Sequence, residues 1–438
     1  MTTIGIVGII LCAALVIFLT YRGWNIIIAA PICAIILMLF TQQPLVDTFT
    51  GAFLSGSANF VSSMFGIYLA GAVLGEIYNV SGAAESIARS LMKTLKGKRE
   101  RPSPLVAILI IFAAGLFLAY GGVHVVALAY VLLPLAVAIM KEAGIPRFMA
   151  PGIVLGCIFT GALAMPGSPQ TQNIVPMVHL GTTSTAALVP GINAGVIVLG
   201  LNIFYLNRTA RKFNANGIFF DGGQNLEEKR RDKYVNPWIA AIPLVVIFVL
   251  FNVFKLYVVY AIFIGSALSL ILFFPYLGGV KKIPAILGQG ATNCCVVLIA
   301  GAVMGGFGAV VSGSAAFSAI SSAVVNFPGP KLFAAGIAIM IVVAVCGSGP
   351  AGLGTALPMF GKAFAEAGVN LSALHRVASF AGTTLDSLPT NAVYLDLTKL
   401  TGLTVKDSYR YVFFTTVIST TIGMFVVAIL CTLFPGLA

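Results

Sequence analysis

The sequence predicts an all-α polytopic membrane protein built from two inverted repeats, each with a re-entrant helical hairpin and a broken transmembrane helix. Three observations carry this. Of 438 residues, 59% are apolar and only 9% charged, with a mean hydropathy of +1.03, whereas soluble proteins carry about 25% charged residues. Apolar runs of bilayer-spanning length recur along the chain. Helix-breaking, hydrogen-bond-rich peptides interrupt some of these runs at matching places in the two halves.

The runs IGIVGIILCAALVIFLT (4–20) and WNIIIAAPICAIILMLF (24–40) open the first half; AAIPLVVIFVLFNVF (240–254) and FFTTVISTTIGMFVVAILCTLF (413–434) lie in the second. A bilayer span takes about 20 such residues. No basic residue precedes the first run, so it reads as a membrane helix and not as a signal peptide. The seven cysteines all lie in apolar segments without a CxxC pair, and they read as small hydrophobes, with no disulfide or zinc site implied.

A net charge of +12 invites comparison with nucleic-acid binders, but in a membrane protein the positions of the positive charges matter more. Cytoplasmic loops collect Lys and Arg. The clusters here are KTLKGKRER (93–101), Lys141 with Arg147, NRTARKF (207–213), EEKRRDK (227–233), Lys281–Lys282, and Lys399 to Arg410. Placing these with Arg22 and Arg89 inside leaves only Lys255, Lys331, Lys362 and Arg376 elsewhere. The predicted orientation in the cell (inner) membrane has both termini on the outer side. Segment 104–141 then has both ends inside, and AYGGVHVV (119–126) interrupts it. Its arms are short for full spans, which predicts a hairpin that dips into the membrane and returns.

The chain matches itself at an offset of roughly 221 to 230 residues. GAVLG (71–75) answers GAVMG (301–305), and LLPLAVAIMKEAGI (132–145) aligns with ALPMFGKAFAEAGV (356–369). Pro134 then falls on Pro358, Gly144 on Gly368 and Gly181 on Gly402. This divides the chain into a first repeat (1–206), a charged cytoplasmic connector (207–236) and a second repeat (237–438). Hairpins are expected at about 104–141 and 331–366, and broken helices at about 148–180 and 375–400. An odd number of crossings per repeat inverts the second copy, an arrangement found in secondary transporters. The GxxxG pairs Gly71/Gly75 and Gly301/Gly305 read as close-packing faces.

Unwound backbone at membrane depth survives only when buried in protein or lining an aqueous cavity, and half-helix N-termini favour anions. Four interruptions follow from the sequence. The first hairpin tip holds Gly121, Gly122 and His124; the first broken helix holds Ser168, Gln170, Thr171, Gln172 and Asn173. The second tip holds Gly347, Ser348 and Gly349; the second broken helix holds Thr383, Thr384, Ser387, Thr390 and Asn391. Together they are the predicted substrate-binding set, rich in donors and poor in fixed charge, which suits a small carboxylate.

Ionisable residues within membrane segments are functional candidates. His124 is either a proton carrier or a plainly hydrogen-bonded histidine. Asp386 is a proton carrier, a cation ligand or a helix cap. His179, His375, Arg376 and Asp396 read as helix-end residues, with Arg376 placed to attract anions at a helix entrance. No HExxH, GxSxG or GxxxxGK[ST] motif occurs, so no enzyme is predicted, and no metal or cofactor.

GGVHVVALAYVLLPLAVAIMKEAGI and VCGSGPAGLGTA (345–356) resemble segments of the gluconate permease family of proton-coupled organic anion symporters. The resemblance implies the ion transporter superfamily, with homodimers in which a hairpin-bearing domain slides past a fixed scaffold as an elevator. TGALAMPGSPQTQN stands where that family tends to have a histidine- and proline-rich stretch, and TTLDSLPTNAVYL where it tends to have Asn-Asp-Ser-Gly-Phe-Trp. The resemblance implies gluconate as cargo, and these departures at the supposed site point to a shorter, less hydroxylated acid of the hydroxybutyrate type as the other candidate. The expected function is therefore uptake of a small organic anion with protons, a sodium-coupled di- or tricarboxylate carrier of the same architecture being the alternative and a passive anion channel a further one.

Overall fold

The structure, a computed structural model, describes every residue except 1, 23, 97–101, 222–233 and 390. Much of the predicted connector, part of the 93–101 basic cluster and Thr390 therefore lie outside the described residues. The first half contains α1 (Thr2–Tyr21), α2 (Ile26–Thr41) and α3 (Leu45–Thr48). A π-helical turn (Phe49–Phe53) joins α3 to α4 (Leu54–Ser81), and α5 (Ala83–Lys96) follows. Next come α6 (Pro104–Tyr120), α7 (Val125–Ala143), α8 (Ala150–Cys157), α9 (Thr171–Leu180) and α10 (Leu188–Ala215). The second half contains α11 (Pro237–Asn252), α12 (Val258–Leu272), α13 (Ile283–Ser312) and α14 (Ala315–Val325). It continues with α15 (Lys331–Cys346), α16 (Gly349–Glu366), α17 (Leu371–Thr384), α18 (Ala392–Thr401), α19 (Val405–Val412) and α20 (Ser419–Leu433).

No strand occurs among the described residues. In a bilayer each backbone polar group needs an internal partner, and an α-helix supplies it within one segment. Five continuous helices, at 3–20, 45–81, 188–215, 280–312 and 405–433, are long and apolar enough to cross a membrane. The chain is a multi-pass membrane protein.

Helix ends follow local chemistry. Asn25, Asn236, Asn370 and Asn391 accept from backbone N–H groups at the starts of α2, α11, α17 and α18, using donors that have no partner within the helix. Gly144, Gly181 and Gly402 end α7, α9 and α18 with φ of 69°, 64° and 63°, a left-handed conformation in which a Cβ is strained. Gly368, the match of Gly144, has φ 79°. Pro134 and Pro358 both lie inside their helices, α7 and α16. Positions paired by the sequence match thus share backbone conformation, and the order long helix, short helix, helix pair, interrupted helix, closing helix recurs in both halves.

The glycine-bearing faces are sites of close packing. Gly71 and Gly75 press α4 on α7, where an added Cβ would lie 2.8 Å from His124 Cβ and 2.3 Å from Ala127 Cβ. Gly56 brings α4 against α13 at Ala309 and Gly305. Without a hydrophobic drive in lipid, such small-residue contact is what associates helices.

Two features depart from the sequence reading. The stretch after Ser81, to which the sequence reading assigned no element beyond the basic cluster 93–101, forms the 14-residue α5. Its Ser86 hydroxyl donates to the Val235 carbonyl, and Glu85 accepts from Tyr234 Oη at 3.0 Å. π-helical turns also occur at Ile158–Ala162 and Phe413–Ile418, each leaving backbone carbonyls short of their helical donors.

Candidate functional site

An interruption of the α-helix occurs at both predicted tips and both predicted breaks, although Thr171, Gln172, Asn173, Gly349, Thr383 and Thr384 themselves lie in helices. Residues 121–124 join α6 to α7, 347–348 join α15 to α16, 165–170 separate α8 and its π turn from α9, and a 3-10 turn (Leu385–Ser387) follows α17 before α18.

The freed backbone of the first break is satisfied by protein. The Ser168 hydroxyl donates to the Ala162 carbonyl. Tyr120 Oη donates to the Pro166 carbonyl at 3.1 Å, and Asn252 Nδ2 to the Gly167 carbonyl at 3.0 Å. Asn173 Nδ2 reaches the Ser168 carbonyl at 2.8 Å, and the Gly167 N–H reaches the Ser184 carbonyl at 2.8 Å. Gln170 Nε2 donates to the carbonyls of Ala119 and Val123 at 2.8 and 2.9 Å, tying the first tip to the first break. Ser168, Gln170 and Asn173 therefore hold the interruption open and rigid. In a low-dielectric interior, a carbonyl left without a donor would cost about 1–3 kcal/mol.

Arg376 and His375 are not helix-end residues. Both are fully buried in α17. The Arg376 guanidinium donates from Nη1 to the Ala164 carbonyl (2.6 Å) and Asn173 Oδ1 (3.0 Å). Its Nη2 donates to the carbonyls of Ser184 (3.2 Å) and Ala186 (2.9 Å), and Nε also donates to Ala186 (3.0 Å). Every donor is engaged, so the group cannot receive an anion at an entrance. Ala164 ends the first half-helix, whose carbonyl end carries partial negative charge. His375 Nε2 lies 2.9 Å from Asn173 Oδ1 and Nδ1 lies 2.6 Å from Thr182 Oγ1. Asn173 Oδ1 only accepts, so Nε2 bears a proton, while the Thr182 hydroxyl can donate to Nδ1 or accept from it. His179 lies in the last turn of α9, and Asp396 pairs with Lys399 at 3.6 Å on α18.

The second break centres on Asp386, 5% exposed. Gln172 Nε2 donates to its Oδ2 at 3.1 Å and Asn391 Nδ2 to its Oδ1 at 3.3 Å. Gly349 packs against the same carboxylate, where an added Cβ would lie 2.7 Å from Oδ2. Gln172 lies in the first turn of α9, Gly349 begins α16, and Asn391 caps α18. The carboxylate thus faces the N-termini of three helices, and among the described residues no Lys, Arg or His pairs with it. Thr171 Oγ1 orients Gln172 by donating to its Oε1 at 2.8 Å. The structure joins all four interruptions in one chain of contacts: first tip, Gln170, first break, Gln172, Asp386, Gly349, second tip.

The other predicted residues are placed as follows. Thr383 and Thr384 donate back to the carbonyls of Phe380 and Ala381 at 2.7 Å. The hydroxyls of Ser387 and Thr416 pair with each other. Gly347 is left-handed (φ 59°), and Ser348 precedes α16 with no side-chain cap bond. Gly121 and Gly122 lie against Leu244 and Ile262. His124 is 6% exposed, its ring edge meets Tyr68 (centroids 4.8 Å apart), and its Nε2 has no hydrogen-bond partner. Sequence reasoning missed Asn252, Ser184 and the bracing roles of Tyr120, placed only in the first tip, and of Arg376. A lone arginine and a lone asparagine in apolar runs were the available signals.

No family model matches the chain. It is 27% identical over 467 residues to the uncharacterized transporter YxjC of Bacillus subtilis (strain 168), covering 96% of this chain and 98% of that one. Its fold is similar to the crystal structure of the Alcanivorax borkumensis YdaH transporter, with a TM-score of 0.54 at 13% identity over 90% of this chain and 89% of that one.

Proposed function

We propose that the chain is a secondary active transporter that takes up a small organic anion with protons. One observation carries this reading: a buried carboxylate, Asp386, lies where three helix N-termini and two amide side chains converge. Those dipoles favour negative charge, so the site suits a carboxylate cargo, and the resemblance to proton-coupled symporters favours a proton over sodium as the coupling ion. The transporter named in the sequence match, and the transporter fold at low identity, agree with transport as the general activity. The resemblance to gluconate permeases supports gluconate or a hydroxybutyrate-like acid as cargo and a homodimer, and the distribution of Lys and Arg supports residence in the cell (inner) membrane with both termini outside.

The two halves are read as inverted repeats. Helices within 4–80 and 237–311 form the scaffold, and 104–180 with 331–400 the moving domain of an elevator. Asp386 is the proton carrier, and His124, with its open Nε2, contributes at the first tip. Reconstitution into vesicles tests this. Radiolabelled gluconate and 3-hydroxybutyrate are offered under a pH gradient without sodium, then under a sodium gradient at equal pH. Accumulation above the external concentration under the pH gradient is expected. Accumulation under sodium alone would make the protein a sodium-coupled carboxylate carrier instead. Equilibration without accumulation would make it a passive channel.

A further inference from the structure

Among the described residues, the buried side chains of the Lys, Arg, Asp and Glu types are two: Arg376 and Asp386. Both belong to the second broken helix, ten positions apart, on the order of 15 Å along a helix axis. Neither pairs with the other or with any opposite charge. Arg376 is satisfied by carbonyls and Asn173, and Asp386 by the side-chain amides of Gln172 and Asn391. Arginine stays charged in proteins, so this interior carries one permanent positive charge and one carboxylate.

We infer that Arg376 and Asp386 form a charge-balancing pair that selects a singly charged anion carried with one proton. The inference rests on the proton-coupled reading above. With Asp386 ionised and no cargo, the buried charge sums to zero. With Asp386 protonated and a monovalent carboxylate bound, it again sums to zero. A proton alone leaves one positive charge, an anion alone leaves one negative charge, and a dianion with one proton also leaves one negative charge. Net charge at membrane depth is costly, so the empty and fully loaded states are the ones that cross. No atom or bond changes beyond one proton gained and lost at the Asp386 carboxylate.

The remaining titratable groups on the packed elements leave this balance intact when His124 and His375 each carry a single ring proton. Tyr68 on α4 faces the Asp386 region, with His124 against its ring; the Tyr394 hydroxyl on α18 turns to Val405 and Ser408, and Cys346 Sγ on α15 to Thr355. Beside Arg376 stand Tyr120 on α6, Cys431 on α20 and His375, whose Nε2 donates to Asn173 Oδ1. His179 ends α9, while Lys331, Lys362, Glu366, Asp396 and Lys399 lie at the solvent-facing parts of α15, α16 and α18.

The test uses the full-length protein in vesicles at a fixed inward pH gradient, with potassium and valinomycin clamping the potential at zero or at 100 mV, negative inside. The probes are radiolabelled gluconate, 3-hydroxybutyrate and succinate. The expected result is monocarboxylate uptake that changes by less than twofold between the two potentials, no steady current on a supported membrane, and no accumulation of succinate. One uncompensated elementary charge crossing the full field would bias the step by about 50-fold per 100 mV. A steady current, a tenfold or greater dependence on potential, or preferred accumulation of succinate overturns the inference while leaving proton coupling intact. Failure to take up any carboxylate overturns the transport reading itself, and this inference with it. Arg376→Lys, which keeps the charge, is expected to stay insensitive to potential. Arg376→Gln, which removes it, is expected to gain a transient charge movement on cargo addition. A folded Arg376→Gln protein without that transient also refutes the pairing.

Discussion

Gly349→Ala is the sharpest test of the site geometry. A Cβ at position 349 would lie 2.3 Å from the Gly382 carbonyl oxygen, 2.7 Å from Asp386 Oδ2 and 2.8 Å from Gln172 Nε2. Two of these neighbours belong to the second broken helix and one to the first, and the closest is backbone that cannot rotate away. Relaxation to ordinary contact requires the second tip to withdraw by about 1 Å. That withdrawal moves Gly349 away from Asp386 and Gln172 and opens the point where the three N-termini meet. Overpacking of this kind costs about 1–3 kcal/mol, which corresponds to about 5- to 150-fold in any equilibrium that needs the tip seated. The control lies five residues further along α16. At Gly354 an added Cβ meets only ring carbons of Phe60, at 3.7 and 3.8 Å, and alanine in a helix interior is favoured over glycine by about 0.5–1 kcal/mol. Thermal unfolding in detergent, the thermal shift produced by substrate, and vesicle uptake are measured for both variants. Gly354→Ala is expected to unfold at or above the wild-type temperature with normal substrate response. Gly349→Ala is expected to remain folded with its substrate shift and uptake reduced at least fivefold. Equal substrate response in the two variants would refute the convergence of the second tip on Asp386.

Arg376→Leu leaves the Ala164 and Ala186 carbonyls without donors, while the Ser184 carbonyl and Asn173 Oδ1 keep other partners. Two orphaned buried carbonyls predict a loss of about 2–6 kcal/mol, offset in part by removal of a buried charge; an unchanged unfolding midpoint would show that Arg376 does not brace the first break. Asp386→Asn keeps the size of the side chain but cannot ionise, so pH-gradient-driven accumulation should be abolished. Accumulation at the wild-type level would remove Asp386 from the coupling role.

Much of the fold could be read because membrane chemistry leaves few choices. A run such as 4–20 must be a helix in lipid, and Gly, Pro, Ser and amide residues at 119–126, 166–173, 346–350 and 387–391 must interrupt one. Gly144, Gly181 and Gly402 announced helix ends because each supplies a left-handed turn. Helix α5 was hidden by its mixed composition, since it lies beside the bundle and presents both charged and apolar faces. The π turns left no periodic mark. Asp386 stood out as an acid inside an apolar half, yet its partners Gln172 and Gly349 lie 214 and 37 positions away in the chain.

The amino-acid sequence by itself determined that this chain is helical, where its helices are interrupted, and that its two halves share landmarks. These follow from hydropathy and backbone preference, which act over a few neighbouring residues. Only the tertiary structure decided what each interruption faces. The first break is sealed by Arg376, Tyr120 and Asn252, and the second gathers three helix N-termini around one carboxylate. Hydrogen bonding between segments some 45 to 215 positions apart depends on how helices pack, and no local preference encodes it.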